Sequence, residues 1–157
     1  MAERSSTAAR STALELVITR VFDAPRSLVW KAWAEPERMA CWAGPRGFTV
    51  TSCELGTRPG EAFRMTMRSP EGTEHRVRGV YHEIVEGERL VYTWAWVDAN
   101  GKAGHETLIT VSFADEGDQT RLTLHQAIFD SMTARDDHRG GWDSSFDCLA
   151  DYLATLQ

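Results

Sequence analysis

The period of the apolar residues changes once along this chain, and the change limits what it can fold into. From Trp142 onward the apolar positions are Trp142, Phe146, Leu149, Leu153 and Leu156. That spacing predicts one apolar stripe on a helix of about four turns. Upstream, the period is two. Glu61 to Arg68 sets Phe63, Met65 and Met67 against Arg64, Thr66 and Arg68. Arg89 to Val97 gathers Leu90, Tyr92, Trp94 and Trp96; Glu106 to Ala114 gathers Ile109, Val111 and Phe113; Gln119 to Gln126 gathers Leu122 and Leu124. Each pattern predicts a strand with one apolar face.

Phe48 to Leu55 and Glu74 to Val85 complete a run of six strands. Two registers are open for Glu74 to Val85: either Val77, Gly79 and Tyr81 point inward, with Arg76, Arg78 and His82 in solvent, or Val80 and Ile84 do. Turn residues separate the strands, including Ser69-Pro70-Glu71-Gly72, Glu86-Gly87-Glu88, Asp98-Ala99-Asn100-Gly101 and Glu116-Gly117-Asp118, so the connections are hairpins. Ahead of them lies a strand from Leu14 to Asp23. Pro25 and Pro36 then suit the first turns of two short helices. Leu28, Val29, Ala32 and Trp33 form the apolar face of the first; the second covers Glu35 to about Trp42. At the far end Ser131 suits a cap, giving a helix of about 25 residues with a weak point at Gly140-Gly141.

This order predicts an α+β fold in which the terminal helix covers the apolar face of one antiparallel sheet. A sheet with so many inward aromatics curves around the helix. The 157 residues fit one domain over 13–157, with a disordered tail over 1–12. A net charge of -6 argues against nucleic acid as a partner, and no apolar run approaches the roughly 20 residues that span a bilayer. Cys41, Cys53 and Cys148 are odd in number and widely spaced, which predicts mostly buried, reduced thiols and a cytoplasmic location. His75, His82, His105, His125 and His138 show no metal-ligand spacing, and no motif asks for a cofactor. The assembly is a monomer or a homodimer.

Arg20-Val21-Phe22-Asp23-Ala24-Pro25, Val29-Trp30, Pro36-Glu37, Trp42, Gly44-Pro45, Arg58-Pro59-Gly60, Gly79 to Ile84, Glu88 to Trp94, Thr120 to Thr123 and Gly141-Trp142 leading into Leu149 to Leu153 form an ordered set over about residues 14–155. The set resembles the bacterial homologues of the activator of the heat-shock-protein-90 ATPase, in the START-like (SRPBCC), helix-grip superfamily. Three features depart from it: Gly56 stands where the family usually has an acid before the Arg-Pro-Gly turn, Glu61 where a second glycine often follows, and only Trp42 remains where two tryptophans often precede Pro45. The resemblance implies a helix-grip fold: a curved antiparallel sheet of about six to seven strands around a long C-terminal helix, with two short helices after the first strand. It also implies a small apolar or amphipathic ligand held between sheet and helix. The alternatives are a stress-related protein partner like the chaperone-ATPase activator, and a cyclase- or hydrolase-type enzyme using the same pocket.

The expected pocket residues are Trp42, Phe63, Met65, Met67, Tyr81, Tyr92, Trp94, Trp96, Ile109, Val111, Gln126, Trp142 and Phe146. Aromatic walls supply apolar area, and an indole N–H can orient a ligand. Gln126 points inward if Leu122 and Leu124 do, and His125 outward. No catalytic residue is assigned. An enzyme would draw on Glu83, Gln126, His105 or Glu106. Asp136-Asp137-His138-Arg139 reads as a solvated turn before the helix, His105 and Glu106 as a surface pair, and Cys41 as a thiol near the pocket mouth.

Overall fold

Alternating strands with tight turns between them pair with their chain neighbours. The computed structural model describes residues 14–157, and the predicted N-terminal tail lies outside them. The elements run β1 (Leu16–Phe22), α1 (Arg26–Ala34), α2 (Pro36–Met39), β2 (Thr49–Glu54), β3 (Ala62–Arg68), β4 (Glu74–Val85), β5 (Arg89–Val97), β6 (Thr107–Glu116), β7 (Gln119–Ala127) and α3 (Met132–Thr155). The strands form one antiparallel sheet of order β1-β7-β6-β5-β4-β3-β2. β1 pairs with the last strand, Leu16 opposite Gln126 through Phe22 opposite Thr120. Because β1 and β2 sit at opposite edges, α1 and α2 carry the chain from one edge to the other. The sheet curves over α3, which is the helix-grip arrangement expected.

A bulge settles the β4 register. Val77 and Tyr81 are buried and Val80 is exposed, so the first alternative holds up to Tyr81. The pairing with β5 then shifts between Tyr81 and Glu83, and Ile84 turns back against the core. One inserted residue thus allows parts of both registers in one strand. Gly79 is required by close approach: a Cβ there would lie 1.8 Å from the Thr93 carbonyl oxygen.

α3 is capped by Ser131, whose Oγ accepts from the Ala134 N–H at 3.0 Å. It runs without a break through Gly140-Gly141, and Asp136 to Arg139 are inside it rather than in a turn. Its second half packs Phe146, Leu149 and Leu153 into a core with Leu16, Phe22, Ile109, Val111, Leu122 and Leu124. Outside this core Arg20 reaches Asp147 at 2.7 Å and lies over the Phe146 ring. On α1 the buried face is Val29, Trp30, Ala32 and Trp33. Leu28 is half-buried, and Trp30 takes its place, edge-on to Phe113 at 5.3 Å. α2 stops at Met39, earlier than predicted. The three cysteines are free, but none is fully buried: Cys41 is exposed, and Cys53 and Cys148 are intermediate. Burial still pushes the Cys53 thiol up to about 11.

Glu61 explains the departures around the Arg-Pro-Gly turn. Its Oε1 accepts from the backbone N–H groups of Thr57 at 2.7 Å and Arg58 at 3.2 Å. The acid therefore reaches the turn from its far side. A Cβ on Gly56 would lie 2.6 Å from the Glu61 Cβ, so the glycine makes room for it.

Candidate functional site

The first half of α3 presents small or polar residues to the sheet. Ala134, His138, Gly141 and Ser145 recur at helical spacing beside the apolar stripe. Facing β3–β5, they leave a cavity of about 440 Å³. Phe63, Met65 and Met67 of β3 and Tyr92 and Trp94 of β5 form its sheet wall; Trp142 and Ser145 form its helix wall. Trp33 and Met39 line it from α1 and α2, followed by Trp42, Ala43, Gly44, Pro45 and Phe48 from the next loop. Trp96 and Asp137 are its exposed members and, with half-buried His75 and His138 packed beside Trp96, mark the mouth.

The wall is mostly aromatic and layered. Trp33 stacks on Trp142 with centroids 6.0 Å apart and planes at 23°, and Phe63 on Trp94 at 5.8 Å and 25°. Behind it runs a buried polar chain. The Trp142 indole donates to Gln126 Oε1 at 2.8 Å, Gln126 Nε2 donates to Thr107 Oγ1 at 2.9 Å, and Thr107 Oγ1 donates to the Trp94 carbonyl at 3.1 Å. This chain ties α3 to β7, β6 and β5.

At the mouth the Trp96 indole meets His138 Nε2 at 2.9 Å, and His138 Nδ1 meets the Ala134 carbonyl at 2.7 Å. An indole only donates and a carbonyl only accepts, so this geometry requires neutral His138 with its proton on Nδ1. Deeper in, burial first, then Tyr81 and Cys53, hold the Tyr92 hydroxyl well above the usual phenol range. It stays protonated and neutral at physiological pH.

Of the predicted pocket residues, Trp42, Phe63, Met65, Met67, Tyr92, Trp94, Trp96 and Trp142 line the cavity. Trp96 does so at 37 % exposure, at the mouth rather than inside. Tyr81 instead borders a second hollow with Trp33, Thr57 and Ile84. Ile109, Val111 and Phe146 are fully buried in the core and line neither of these two spaces. Gln126 is inward and fully buried as expected, but it stands behind the wall, its amide oxygen accepting from Trp142 and its amide nitrogen donating to Thr107. His125 points the other way and pairs with Glu15 at 2.9 Å.

The residues named for an enzyme are not gathered at the cavity. Glu83 pairs with Arg89 at the surface, His105 bonds the Ile128 carbonyl rather than Glu106, and Glu106 is exposed. Cys41 is exposed and its Sγ donates to the Glu37 carbonyl; it does not line the cavity. Sequence reasoning missed Trp33, Met39, Phe48, His75, Asp137, His138 and Ser145. The signal for the helical ones was the stripe of small and polar residues alongside the apolar one. Among the described residues no helix is long and apolar enough to cross a membrane.

No curated protein matches the chain by sequence. Solved structures do. The AHSA1 protein from Silicibacter pomeroyi is 25% identical, with a TM-score of 0.85 over 91% of this chain and 99% of its own. A protein from Chromobacterium violaceum is 29% identical, with a TM-score of 0.78 over 88% and 96%. One from Arthrobacter aurescens, 23% identical with a TM-score of 0.82 over 91% and 87%, shares the fold. The family model described as activator of Hsp90 ATPase homolog 1-like protein matches residues 23–154. With that match over most of its length, the chain belongs to the activator of Hsp90 ATPase homolog 1-like family and carries its START-like, helix-grip fold.

Proposed function

We propose that residues 13–157 act as one ligand-binding domain that takes up a small apolar or amphipathic molecule between α3 and β3–β5. The observation that carries this reading is the cavity itself. Its volume of about 440 Å³ falls in the range of roughly 300–1,000 Å³ typical of small-molecule sites. Its wall atoms lack packing partners on the open side, and a bound apolar molecule would supply those contacts. The charge-bearing side chains of the lining, His75, Asp137 and His138, stand at the mouth, where an amphipathic ligand keeps its polar end wet. The same reading puts the protein in the cytoplasm, where a reducing environment preserves free thiols such as Cys41, Cys53 and Cys148.

Titration with N-phenyl-1-naphthylamine, read by quenching of tryptophan emission, tests it. Saturable one-to-one binding is expected. Ser145→Phe, which places a ring in the cavity, should remove binding while the thermal midpoint holds. Absence of saturable binding up to the probe's solubility, or full affinity in the folded Ser145→Phe variant, would overturn the reading.

A further inference from the structure

Five tryptophans stand in the cavity wall, and their indole N–H groups fall into two sets. Trp42 donates to the Ala32 carbonyl, Trp142 to Gln126 and Trp96 to His138. Trp33 and Trp94 are only 1% and 5% exposed, yet neither indole nitrogen has an acceptor among the described residues. Buried donors are normally paired, because a lost water bond that nothing replaces disfavours the folded state. Both unpaired donors belong to residues that border the apolar cavity, and Trp33 borders the second hollow as well.

The surroundings restrict what acceptor would suit them. Among the described residues no charged side chain lines the depth of the cavity; His75, Asp137 and His138 stand at the mouth. A buried carboxylate or ammonium on a ligand would find no counter-charge there. A pure hydrocarbon would fill the space and leave both donors as they are. The stacked indole and phenyl rings favour a body that is itself aromatic. Both nitrogens are covered by neighbouring atoms, so the wall must shift for an acceptor to reach them. The unbranched side chains of Met39, Met65 and Met67 are suited to such adjustment.

We infer that the cavity selects an uncharged aromatic molecule bearing a carbonyl-type oxygen, which accepts a hydrogen bond from the indole N–H of Trp94 or Trp33. This rests on the ligand-binding reading above and names its chemical class.

The test uses two probes of one shape, 2-acetylnaphthalene and 2-isopropenylnaphthalene, in which a CH₂ replaces the oxygen. Affinities for the full chain, Trp33→Phe, Trp94→Phe and the double variant come from calorimetry. The ratio of ketone to hydrocarbon affinity should fall about tenfold in Trp94→Phe, Trp33→Phe or their combination, the size of one hydrogen bond. Trp→Phe also removes wall area and should weaken both probes alike, so the ratio carries the result; hydrocarbon binding that stays measurable shows that the variants retain the cavity. Independently of any variant, the carbonyl stretch of bound 2-acetylnaphthalene should move to lower wavenumber than in hexane. An unchanged ratio in all three variants, or an unshifted stretch, overturns the inference and leaves the binding reading intact. Failure of both probes to bind the full chain overturns both.

Discussion

The two ends of the space between sheet and α3 draw on opposite halves of one sheet and one helix and are packed differently. Under β1, β7 and β6 the helix contributes Phe146, Leu149 and Leu153, buried in one core with Leu122, Leu124, Ile109 and Val111, and none of these lines the cavity. Under β5, β4 and β3 it contributes Ala134, Gly141 and Ser145, and a cavity opens against larger sheet residues, Phe63, Met65, Met67 and Trp94. The sheet is as apolar at one end as at the other. What differs is side-chain volume on the helix: apart from Trp142, its residues along the cavity are small or polar, and the hollow arises from what they withhold. Gln126 lies at the boundary and fastens Trp142 to the strands behind it.

Truncation should separate the two halves most strongly. Phe146→Ala should cost about 3–5 kcal/mol in urea unfolding, since the solid core cannot close over the void. Met67→Ala should stay near the low end of that scale, about 2 kcal/mol, because Met67 already borders open space. Equal losses would mean that the halves do not differ in packing. Next in size is the boundary itself. Gln126→Leu leaves the Trp142 N–H without its acceptor and should destabilise by about 2 kcal/mol; denaturation monitored by tryptophan emission checks it.

The adjacent glycines sharpen the comparison further. An added Cβ meets nothing within 4 Å at Gly140, and only Pro45 Cγ at 4.0 Å at Gly141. Both lie inside α3, so Gly140→Ala and Gly141→Ala should each stabilise by about 0.5–1 kcal/mol. Only Gly141 lines the cavity, so only its replacement should weaken probe binding. The smallest effect lies outside both halves. The Thr57 backbone N–H first, with help from the Arg58 N–H and charge, holds the Glu61 carboxyl below its usual 4.5. Its stabilising contribution is therefore present above that value and lost as pH falls through the depressed one. Stability measured against pH should show Glu61→Gln slightly weaker at neutral pH and equal to the parent in acid, with probe binding unaffected.

Much of the fold was legible because its signals are local. Alternation at Phe63, Met65 and Met67, the Asn100-Gly101 turn and the stripe from Trp142 to Leu153 depend on neighbours a few residues away. Those patterns determined the hairpins, the terminal helix, its Ser131 cap and the inward set of most strands. The β4 bulge escaped the pattern because an inserted residue resets the alternation without a residue type that announces it. Asp136 to Arg139 escaped because charge reads as solvent exposure, whereas Asp137 and His138 stand at the rim of a cavity on a helix.

By itself the sequence determined which residues are apolar, at what period, and hence a sheet gripping a helix with an aromatic interior. Only the tertiary structure decided where that interior is solid and where it is hollow, and that among the described residues Trp33 and Trp94 find no acceptor while Trp42, Trp96 and Trp142 do. The physical reason is that period is a property of one element. Empty volume and hydrogen-bond pairing depend on the distances between several elements, which no single segment encodes.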